Sequence, residues 1–364
     1  MKRKSKTNLR RILMIFSALV VTTVFLNFSV QASSALTMYT PTTGDPIPGC
    51  LYARAMQLNN SGTYNGRMYA TFEQYVTGIP SFPIFESKDN GASWAKISSV
   101  TDQKNGWGMR YQPFLYELPQ AIGDMPAGTI LCVGNSIPSD LSKTKLDLYK
   151  STDHAKTWTF VSSVATGGVA NPNGKNDPVW EPFLLVANNK LICYYSDERD
   201  PAYNQKIVHE TSTNGINWSN TVDDVALSTQ NLRPGMPVVA RLSNGQYIRT
   251  YEVINASGTP TSFKISSNPE SWTSSNQGTT ISSGGSPYVT VMPNGKVVVT
   301  NSNSSGNLYV NSSNATGSWI TISSPLGKGY SRCLLPLSSS NLFIISGGNL
   351  NVNNTVKYAS MPTP

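Results

Sequence analysis

The sequence predicts an all-β protein, a six-bladed β-propeller with Asp-box turns, and three observations carry this prediction. Only 13% of the 364 residues are charged, and 28 glycines and 23 prolines accompany many Ser, Thr and Asn residues, which is typical of short strands and tight turns. A hairpin of two apolar strands around a polar turn recurs six times. A Ser-x-Asp-x-Gly-x-Ser/Thr-Trp turn, or a degenerate copy of it, follows five of these hairpins.

The first 32 residues form a predicted targeting segment. They contain six basic residues and no acidic one, and the cations precede an apolar run of about 15 residues from Ile12 to Leu26. Val30-Gln31-Ala32 supplies the small residues that signal peptidase requires, so we expect a signal peptide over 1–32 and secretion of the mature chain. Because a membrane-spanning helix needs roughly 20 residues, an uncleaved anchor is the weaker alternative, and no stable membrane association is expected.

The net charge of +8 depends on this segment. Removing its six cations from the 28 basic residues leaves 22, against 20 acidic residues. A nucleic-acid partner therefore has no electrostatic basis. We expect residues 33–364 to be a single six-bladed domain and a monomer.

The cysteines and histidines predict neither a metal site nor a cofactor. No Cys-x-x-Cys pair, P-loop or strand-linked Gly-x-Gly-x-x-Gly occurs, and the chain has only two histidines. Cys132 and Cys193 lie within apolar strands and are predicted to be buried thiols. All four cysteines belong to the exported part, where disulfides can persist, and any pairing stays open.

The six hairpins turn at positions 45 to 64 residues apart, which fits repeated supersecondary units. Asn-Gly between apolar runs is a strong hairpin signal because both turn residues must accept positive φ. The 332 mature residues give about 55 for each four-stranded blade. The turns lie near Ser61-Gly62, Asp124-Met125, Asn188-Asn189, Asn244-Gly245, Asn294-Gly295 and Ser339-Ser340.

The Asp-box turns are predicted to be structural. Residues 87–94 match the pattern in full, and residues 151–158 match it with Ala155 in place of the glycine. The Asp carboxylate would accept turn N–H groups, and the Trp would pack against its own blade. Degenerate copies end at Trp218, Trp272 and Trp319.

Functional groups of a propeller gather at one mouth of its channel, where the first strand of each blade begins and the second ends. The residues aligned at the start of the first strand are Arg54, Gln112, Glu181, Arg233, Ser286 and Arg332. Those aligned at the end of the second strand are Glu73, Asn135, Asp197, Glu252, Asn301 and Gly347. This ring is rich in carboxylates and arginines.

Paired carboxylates are the chemistry that this ring offers. His154 and His209 lie in or beside Asp-box turns, so a Ser-His-Asp triad would lack its base. Glycoside hydrolysis needs only two carboxylates, one to protonate the leaving oxygen and one to attack or to activate water. We favour Glu181 and Glu252 as this pair.

The sequence around each glutamate suggests a role. Apolar neighbours in Trp180-Glu181-Pro182-Phe183 would raise the pKa of Glu181 as a general acid requires, and the more polar strand before Glu252 suits an ionised nucleophile. The alternative for either residue is an ion pair with a ring arginine. For Glu73 and Asp197 that alternative is favoured, with substrate hydrogen bonding second.

Three aromatic residues near the mouth, Trp107, Tyr111 and Trp180, are candidates to stack on sugar rings, with core packing as the alternative.

Several continuous segments resemble glycoside hydrolase family 93. They are Asn105 to Glu117, Gly134 to Asp140, Val179 to Phe183, Cys193 to Asp197 with Arg199-Asp200-Pro201, and Arg233 to Pro237. The resemblance covers roughly residues 50 to 255 densely and the last two blades more weakly.

This resemblance implies a sialidase-like propeller that acts as a retaining exo-α-1,5-L-arabinanase and releases arabinobiose from arabinan. The Trp-Glu-Pro and Thr-Tyr-Glu motifs of the family fall on Glu181 and Glu252, and the resemblance does not decide which is the nucleophile. The predicted substrate-binding residues are Arg54, Trp107, Tyr111, Gln112, Asn135, Trp180, Asp197, Arg199, Arg233, Tyr330 and Arg332.

Two other functions remain as alternatives. In a sialidase, Arg54, Arg233 and Arg332 would clamp a carboxylate, and Tyr330 lies in a segment similar to the one that bears the sialidase nucleophile. The loop 71–83, where a sialidase keeps its acid aspartate, contains no Asp. The second alternative is a non-catalytic propeller that binds glycans.

Overall fold

The computed structural model describes residues 34–172, 176–338 and 341–364, without the side chain of Ser338. The predicted signal peptide and the turn at Ser339-Ser340 lie outside the described residues. These residues form 24 strands and one short 3-10 helix, Gly62–Tyr64. The strands make six four-stranded antiparallel sheets, which confirms the six-bladed β-propeller.

The first three blades follow one another along the chain after an initial strand, β1 (Leu36–Tyr39). Blade 1 contains β2 (Cys50–Gln57), β3 (Met68–Gln74), β4 (Phe82–Ser87) and β5 (Ala95–Val100). Blade 2 contains β6 (Met109–Glu117), β7 (Ile130–Ser136), β8 (Thr144–Ser151) and β9 (Thr159–Gly167). Blade 3 contains β10 (Val179–Ala187), β11 (Lys190–Asp197), β12 (Lys206–Ser212) and β13 (Val222–Val225).

The last three blades complete the ring. Blade 4 contains β14 (Arg233–Arg241), β15 (Tyr247–Ile254), β16 (Pro260–Ser266) and β17 (Thr279–Ser283). Blade 5 contains β18 (Tyr288–Val291), β19 (Val297–Thr300), β20 (Leu308–Asn311) and β21 (Ile320–Ile322). Blade 6 contains β22 (Cys333–Ser338), β23 (Asn341–Ser346), β24 (Val356–Pro362) and, at its outer edge, β1.

The first strand of each blade is the inner one. β2, β6, β10, β14, β18 and β22 each contact the first strands of both neighbouring blades, so together they surround the channel. The apolar core fills the space between blades, with large buried clusters that draw on successive sheets.

The ring is closed by β1, a feature that the repeat pattern did not reveal. β1 pairs antiparallel with β24, and Leu36 lies opposite Tyr358. The Tyr39 ring then packs against Phe72 of blade 1, at 4.8 Å between centroids. The two ends of the propeller are therefore joined by one four-residue strand.

A β-bulge opens the first strand of blades 1 to 4. In each, two residues of the first strand lie opposite one residue of the second, and the first of the two has a positive φ. Blades 5 and 6 have a positive-φ residue just before the first strand. The six left-handed residues are Tyr52, Gln112, Glu181, Met236, Ser286 and Ser331, with φ between 50° and 60°.

These bulges correct the alignment made from the sequence. Gln112, Glu181 and Ser286 were aligned correctly, whereas Arg54, Arg233 and Arg332 lie one to three residues from the equivalent positions. In blade 3, the second-strand residue that pairs with the residue before the bulge is Ser196 rather than Asp197. A shift of one residue in a strand moves a side chain to the other face of the sheet.

The Asp-box turns are held as expected, except for the tryptophan. Asp89 accepts hydrogen bonds from the backbone N–H and the hydroxyl of Ser93, at 2.9 and 2.5 Å. The Trp94 ring, however, packs against Phe343 of blade 6, and Trp158 of blade 2 donates a hydrogen bond to Ser98 of blade 1. The prediction that each Trp packs on its own blade was therefore wrong for Trp94 and Trp158, whose rings join neighbouring blades. Trp272 does pack on its own blade, where its ring centre lies 4.1 Å from the guanidinium carbon of Arg249.

All four cysteines are buried free thiols. In the described part of the chain, no helix is long and apolar enough to cross a membrane.

Candidate active site

A cavity of about 280 Å³ opens at the mouth of the channel where the first strands begin. Its walls carry three carboxylates, one arginine and several aromatic rings. The lining residues are Leu51, Glu73, Tyr75, Tyr111, Gln112, Ala170, Pro172, Trp180, Glu181, Gln205, Arg233, Glu252, Ile254, Tyr330 and Leu350.

Glu181 enters the cavity from the bulge of β10. A non-glycine residue with positive φ is uncommon, and this strained conformation directs the side chain away from the regular alternation of the strand. Its Oε2 accepts hydrogen bonds from the Ser196 hydroxyl, at 2.7 Å, and from the Met236 N–H, at 2.6 Å. Burial raises the pKa of Glu181, while these two donors and the charge of Arg233 oppose the rise.

Glu252 lies near the end of β15, in the neighbouring blade. Its Oε2 accepts one hydrogen bond, from the Ser286 N–H at 2.6 Å. Burial and, to a smaller extent, the charge of Glu181 together raise the pKa of Glu252 to about 7, against the opposing effects of the Ser286 N–H and Arg233. The carboxyl groups of Glu181 and Glu252 are thus close enough to influence each other's ionisation. The ionised form of Glu252 is stabilised less than that of Glu181, because Glu252 accepts one hydrogen bond and Glu181 accepts two.

Glu73 is a third carboxylate in the same cavity, and it is only 3% exposed. Its oxygens accept hydrogen bonds from the Gln112 N–H, at 2.8 Å, and the Tyr75 hydroxyl, at 3.0 Å. Burial raises its pKa to about 7, opposed by these donors. The sequence favoured an ion pair for Glu73, but among the described residues it makes none within 4 Å.

Arg233 and Trp180 are held in the cavity wall by one shared acceptor. The Glu198 carboxylate accepts hydrogen bonds from the Arg233 guanidinium, at 2.6 Å, and from the Trp180 indole N–H, at 3.0 Å. Gln205 accepts a second bond from Arg233, also at 2.6 Å. These fixed partners orient a cation and an aromatic face beside Glu181.

Arg54 and Arg332 lie outside the cavity. The Arg54 guanidinium donates to the backbone oxygen and hydroxyl of Ser331, at 2.8 and 2.7 Å, and stacks 3.8 Å from the centre of the Tyr52 ring. Arg332 is fully buried and donates to the backbone carbonyls of Gly306, Leu326, Asn301 and Asn307. Both arginines therefore tie loops and blades together.

Asp197, the last residue of β11, forms an ion pair with Arg199 at 2.8 Å, and both line a charged cleft separate from the cavity. This position follows from the one-residue shift described above. The sequence favoured an ion pair between Asp197 and a ring arginine, but the partner is Arg199, which lies outside that ring. Trp107 is partly exposed on the loop before β6, where its backbone N–H donates a hydrogen bond to the Asp102 carboxylate. Neither this ion pair nor Trp107 lines the cavity.

The other sequence-predicted residues are at or directly behind the wall. Tyr111, Gln112 and Tyr330 line the cavity. Asn135 is buried behind it, where its amide donates to the Gln112 side chain, at 3.3 Å, and to the Val179 carbonyl, at 2.7 Å. Burial and the neighbouring glutamates hold the pKa of Tyr330 far above its usual value.

Sequence reasoning missed Tyr75, Ser196, Glu198 and Gln205. Tyr75 follows Glu73 by two residues, so the period of a strand could have placed it on the same side. Glu198 and Gln205 come from a loop, where no periodic signal exists. No group of three or more metal-ligating side chains was found in the parts of the chain that the structure describes.

The chain is similar to solved structures of two kinds of glycosidase. An α-L-arabinanase from Penicillium chrysogenum, solved with arabinobiose, is 40% identical with a TM-score of 0.85, over 91% of this chain and 98% of that one. The GH93 α-L-arabinofuranosidase of Fusarium graminearum, also solved with arabinobiose, is 39% identical with a TM-score of 0.84 and the same coverage. The NanB sialidase of Streptococcus pneumoniae shares the fold alone, at 11% identity and a TM-score of 0.58, over 90% of this chain and 70% of that one.

No protein-family model matches the chain, and no curated protein matches it. The matches to the two fungal enzymes cover nearly the whole length of both partners. The chain is therefore a glycoside hydrolase, and it belongs to glycoside hydrolase family 93.

Proposed function

We propose that this chain is a retaining exo-α-1,5-L-arabinanase that releases arabinobiose from the end of an arabinan chain. The observation that carries the proposal is that Glu181 and Glu252 line one cavity, where the charge of one raises the pKa of the other. The two fungal relatives bind arabinobiose, which supports an arabinose polymer as substrate.

The hydrogen bonds favour Glu181 as the nucleophile and Glu252 as the acid and base. Glu181 accepts two short hydrogen bonds and lies near a cation, all of which stabilise its ionised form. Glu252 accepts one, and its pKa of about 7 lets it carry a proton at neutral pH. This assignment is opposite to the one that the sequence favoured, because the flanking residues do not reveal the donors Ser196 and Met236.

The proposed reaction has two steps. Glu181 attacks the anomeric carbon as the glycosidic C–O bond breaks, and the Glu252 proton passes to the leaving oxygen. Glu252 then takes a proton from water, which attacks the same carbon and releases Glu181. Retention in this scheme requires the two carboxyl groups to be about 5 to 5.5 Å apart.

A sialidase reaction receives no support from the site. Of the three arginines proposed as a carboxylate clamp, Arg233 alone lines the cavity, while Arg54 and Arg332 are bound to backbone and serine oxygens. The raised pKa of Tyr330 is also unfavourable for a tyrosine nucleophile.

We also propose that the enzyme is secreted. The basic segment, the apolar run and Val30-Gln31-Ala32 support this localisation. N-terminal sequencing of protein from the culture medium is expected to begin at Ser33. Retention of the full chain in the cell pellet would contradict secretion.

The activity is tested by digestion of linear arabinan with wild type, Glu181→Gln and Glu252→Gln. We expect wild type to release arabinobiose, whose first-formed anomer has the α configuration by NMR. Each variant is expected to lose at least 1,000-fold in kcat/KM, on the order seen when a catalytic group is removed. Random fragments, an inverted product or an unaffected variant would contradict the proposal.

A further inference from the structure

Glu198 is a buried carboxylate that lies behind the wall of the cavity and does not line it. It follows β11 directly, and its side chain is 0% exposed. Its Oε1 accepts hydrogen bonds from both the Arg233 guanidinium, at 2.6 Å, and the Trp180 indole N–H, at 3.0 Å. Because a charge is costly to bury without a partner, Glu198 and Arg233 form a charge pair inside the protein.

Arg233 is the cation that connects Glu198 to the catalytic carboxyl groups. Of the described residues that line the cavity, Arg233 alone is positively charged, and it shares the cavity with Glu73, Glu181 and Glu252. The charge of Arg233 lowers the pKa of Glu181 and of Glu252. The charge of Glu198 raises the pKa of Glu181, so Glu198 offsets part of the effect of Arg233.

A second partner, Gln205, fixes the Arg233 side chain close to Glu181. The Gln205 side chain accepts a hydrogen bond from Arg233, at 2.6 Å, and donates one to the Pro234 carbonyl, at 2.9 Å. A methyl group on Gly235 would contact the Gln205 amide and would lie 3.2 Å from Glu181 Oε2. A change in the charge around Arg233 would therefore act on Glu181 without a large movement of either side chain.

We propose that Glu198 is a positioning residue for the reaction and that, through Arg233, it sets the pH range in which the two catalytic carboxyl groups share one proton. This inference rests on the proposed arabinanase function. The reaction needs Glu181 ionised while Glu252 holds a proton. Because Glu198 neutralises part of the Arg233 charge, the pair keeps this proton near neutral pH. Glu198 itself does not contact the sugar.

Other ionisable groups act on the same pair or on its neighbours. A substitution at Glu198 leaves all of them in place, so their effects are common to wild type and variant. They are Glu73 on β3, Tyr52 and Arg54 on β2, and Tyr330 shortly before β22.

The test compares the full mature protein with Glu198→Gln, which removes the charge and keeps the size of the side chain. The pH dependence of kcat/KM is measured on an aryl α-L-arabinobioside. In Glu198→Gln the unneutralised Arg233 stabilises both ionised carboxylates, so both limbs of the profile should move to lower pH by about 1.

Glu210→Gln is the matched control. Glu210 is also a buried glutamate, it accepts a hydrogen bond from the Tyr195 hydroxyl at 2.6 Å, and it lies in the separate charged cleft. Its pH profile should coincide with that of wild type. Glu198→Asp keeps the negative charge, so its limbs should also match wild type even where the shorter side chain lowers the rate.

A lower maximum rate with unmoved limbs would give Glu198 a purely structural role and would overturn the inference, as would limbs that move to higher pH. If Glu198→Gln does not fold, Arg233→Gln should move both limbs to higher pH by about 1, because it removes the cation. Adding Glu198→Gln to that variant leaves no unpaired charge and should return the limbs towards wild type. Limbs that stay at high pH in the double variant would also overturn the inference.

A second readout does not depend on turnover. NMR of labelled glutamate carboxyl carbons follows the same ionisations in the protein without substrate, and Glu181 and Glu252 should titrate at lower pH in Glu198→Gln than in wild type. Identical titrations would overturn the inference. A wild type that leaves the arabinobioside intact would refute the proposed activity, while the NMR titration would still judge the effect of Glu198.

Discussion

Replacing Glu252 by glutamine is expected to make the protein more stable at alkaline pH. Burial raises the pKa of Glu252 from 4.5 to about 7, so the folded protein holds this proton more tightly than the unfolded chain does. The resulting stabilisation is present below pH 4.5 and is lost as the pH rises through 7. A shift from 4.5 to 7 corresponds to about 3 kcal/mol of unfolding free energy.

The isosteric glutamine has no charge and can still accept the hydrogen bond from Ser286. Wild type and Glu252→Gln should therefore have similar unfolding free energies at pH 4, and the variant should be more stable by about 3 kcal/mol at pH 8.5. Urea unfolding at the two pH values measures the difference, provided that the transition is reversible. Parallel stability curves, with a difference below about 0.5 kcal/mol at both pH values, would refute this account of the buried carboxyl.

Three further variants test other parts of the structure. The stability difference between Asp89→Asn and wild type should have the opposite pH dependence, because hydrogen bonds from the turn lower the Asp89 pKa to about 2. In thermal melts, the variant should be less stable than wild type at pH 7, and this difference should disappear as the pH falls towards 2. Arg54→Ala should cost about 2 to 4 kcal/mol in urea unfolding and leave KM within twofold, whereas a large rise in KM would make Arg54 a substrate ligand. Gly285→Ala should lower kcat/KM by about 10- to 100-fold, because the methyl group of the new alanine would collide with the Glu252 carboxylate. Gly78→Ala is the control, since open space surrounds Gly78, and this variant should match wild type.

The repeat pattern predicted the blades because each hairpin and turn is specified by residues close in sequence. Asn188 and Asn189, for example, both have positive φ at their hairpin, as such turns require. The closing strand β1 could not be found in this way, since its partner β24 lies more than 300 residues away and β1 has only four residues. Such pairing depends on the closed ring and not on a local signal.

The site was predicted in part for a similar reason. Glu181 and Glu252 were found because each stands beside a recognisable strand end. The arginines and Asp197 were misaligned, since a bulge adds one residue and changes which side chains face the channel. Proline follows the left-handed residue in four blades, and Met236-Pro237 could have corrected the alignment of blade 4.

The central claim is that Glu181 and Glu252 act on the same glycosidic bond in different roles. It is tested most directly by azide rescue of Glu181→Ala and Glu252→Ala on an aryl α-L-arabinobioside, with the anomeric configuration of each azide product determined by NMR. The account predicts a β-azide from Glu181→Ala, where azide replaces the nucleophile, and an α-azide from Glu252→Ala, where azide replaces water. The reverse pattern would exchange the two roles, and the absence of rescue in both variants would contradict the claim.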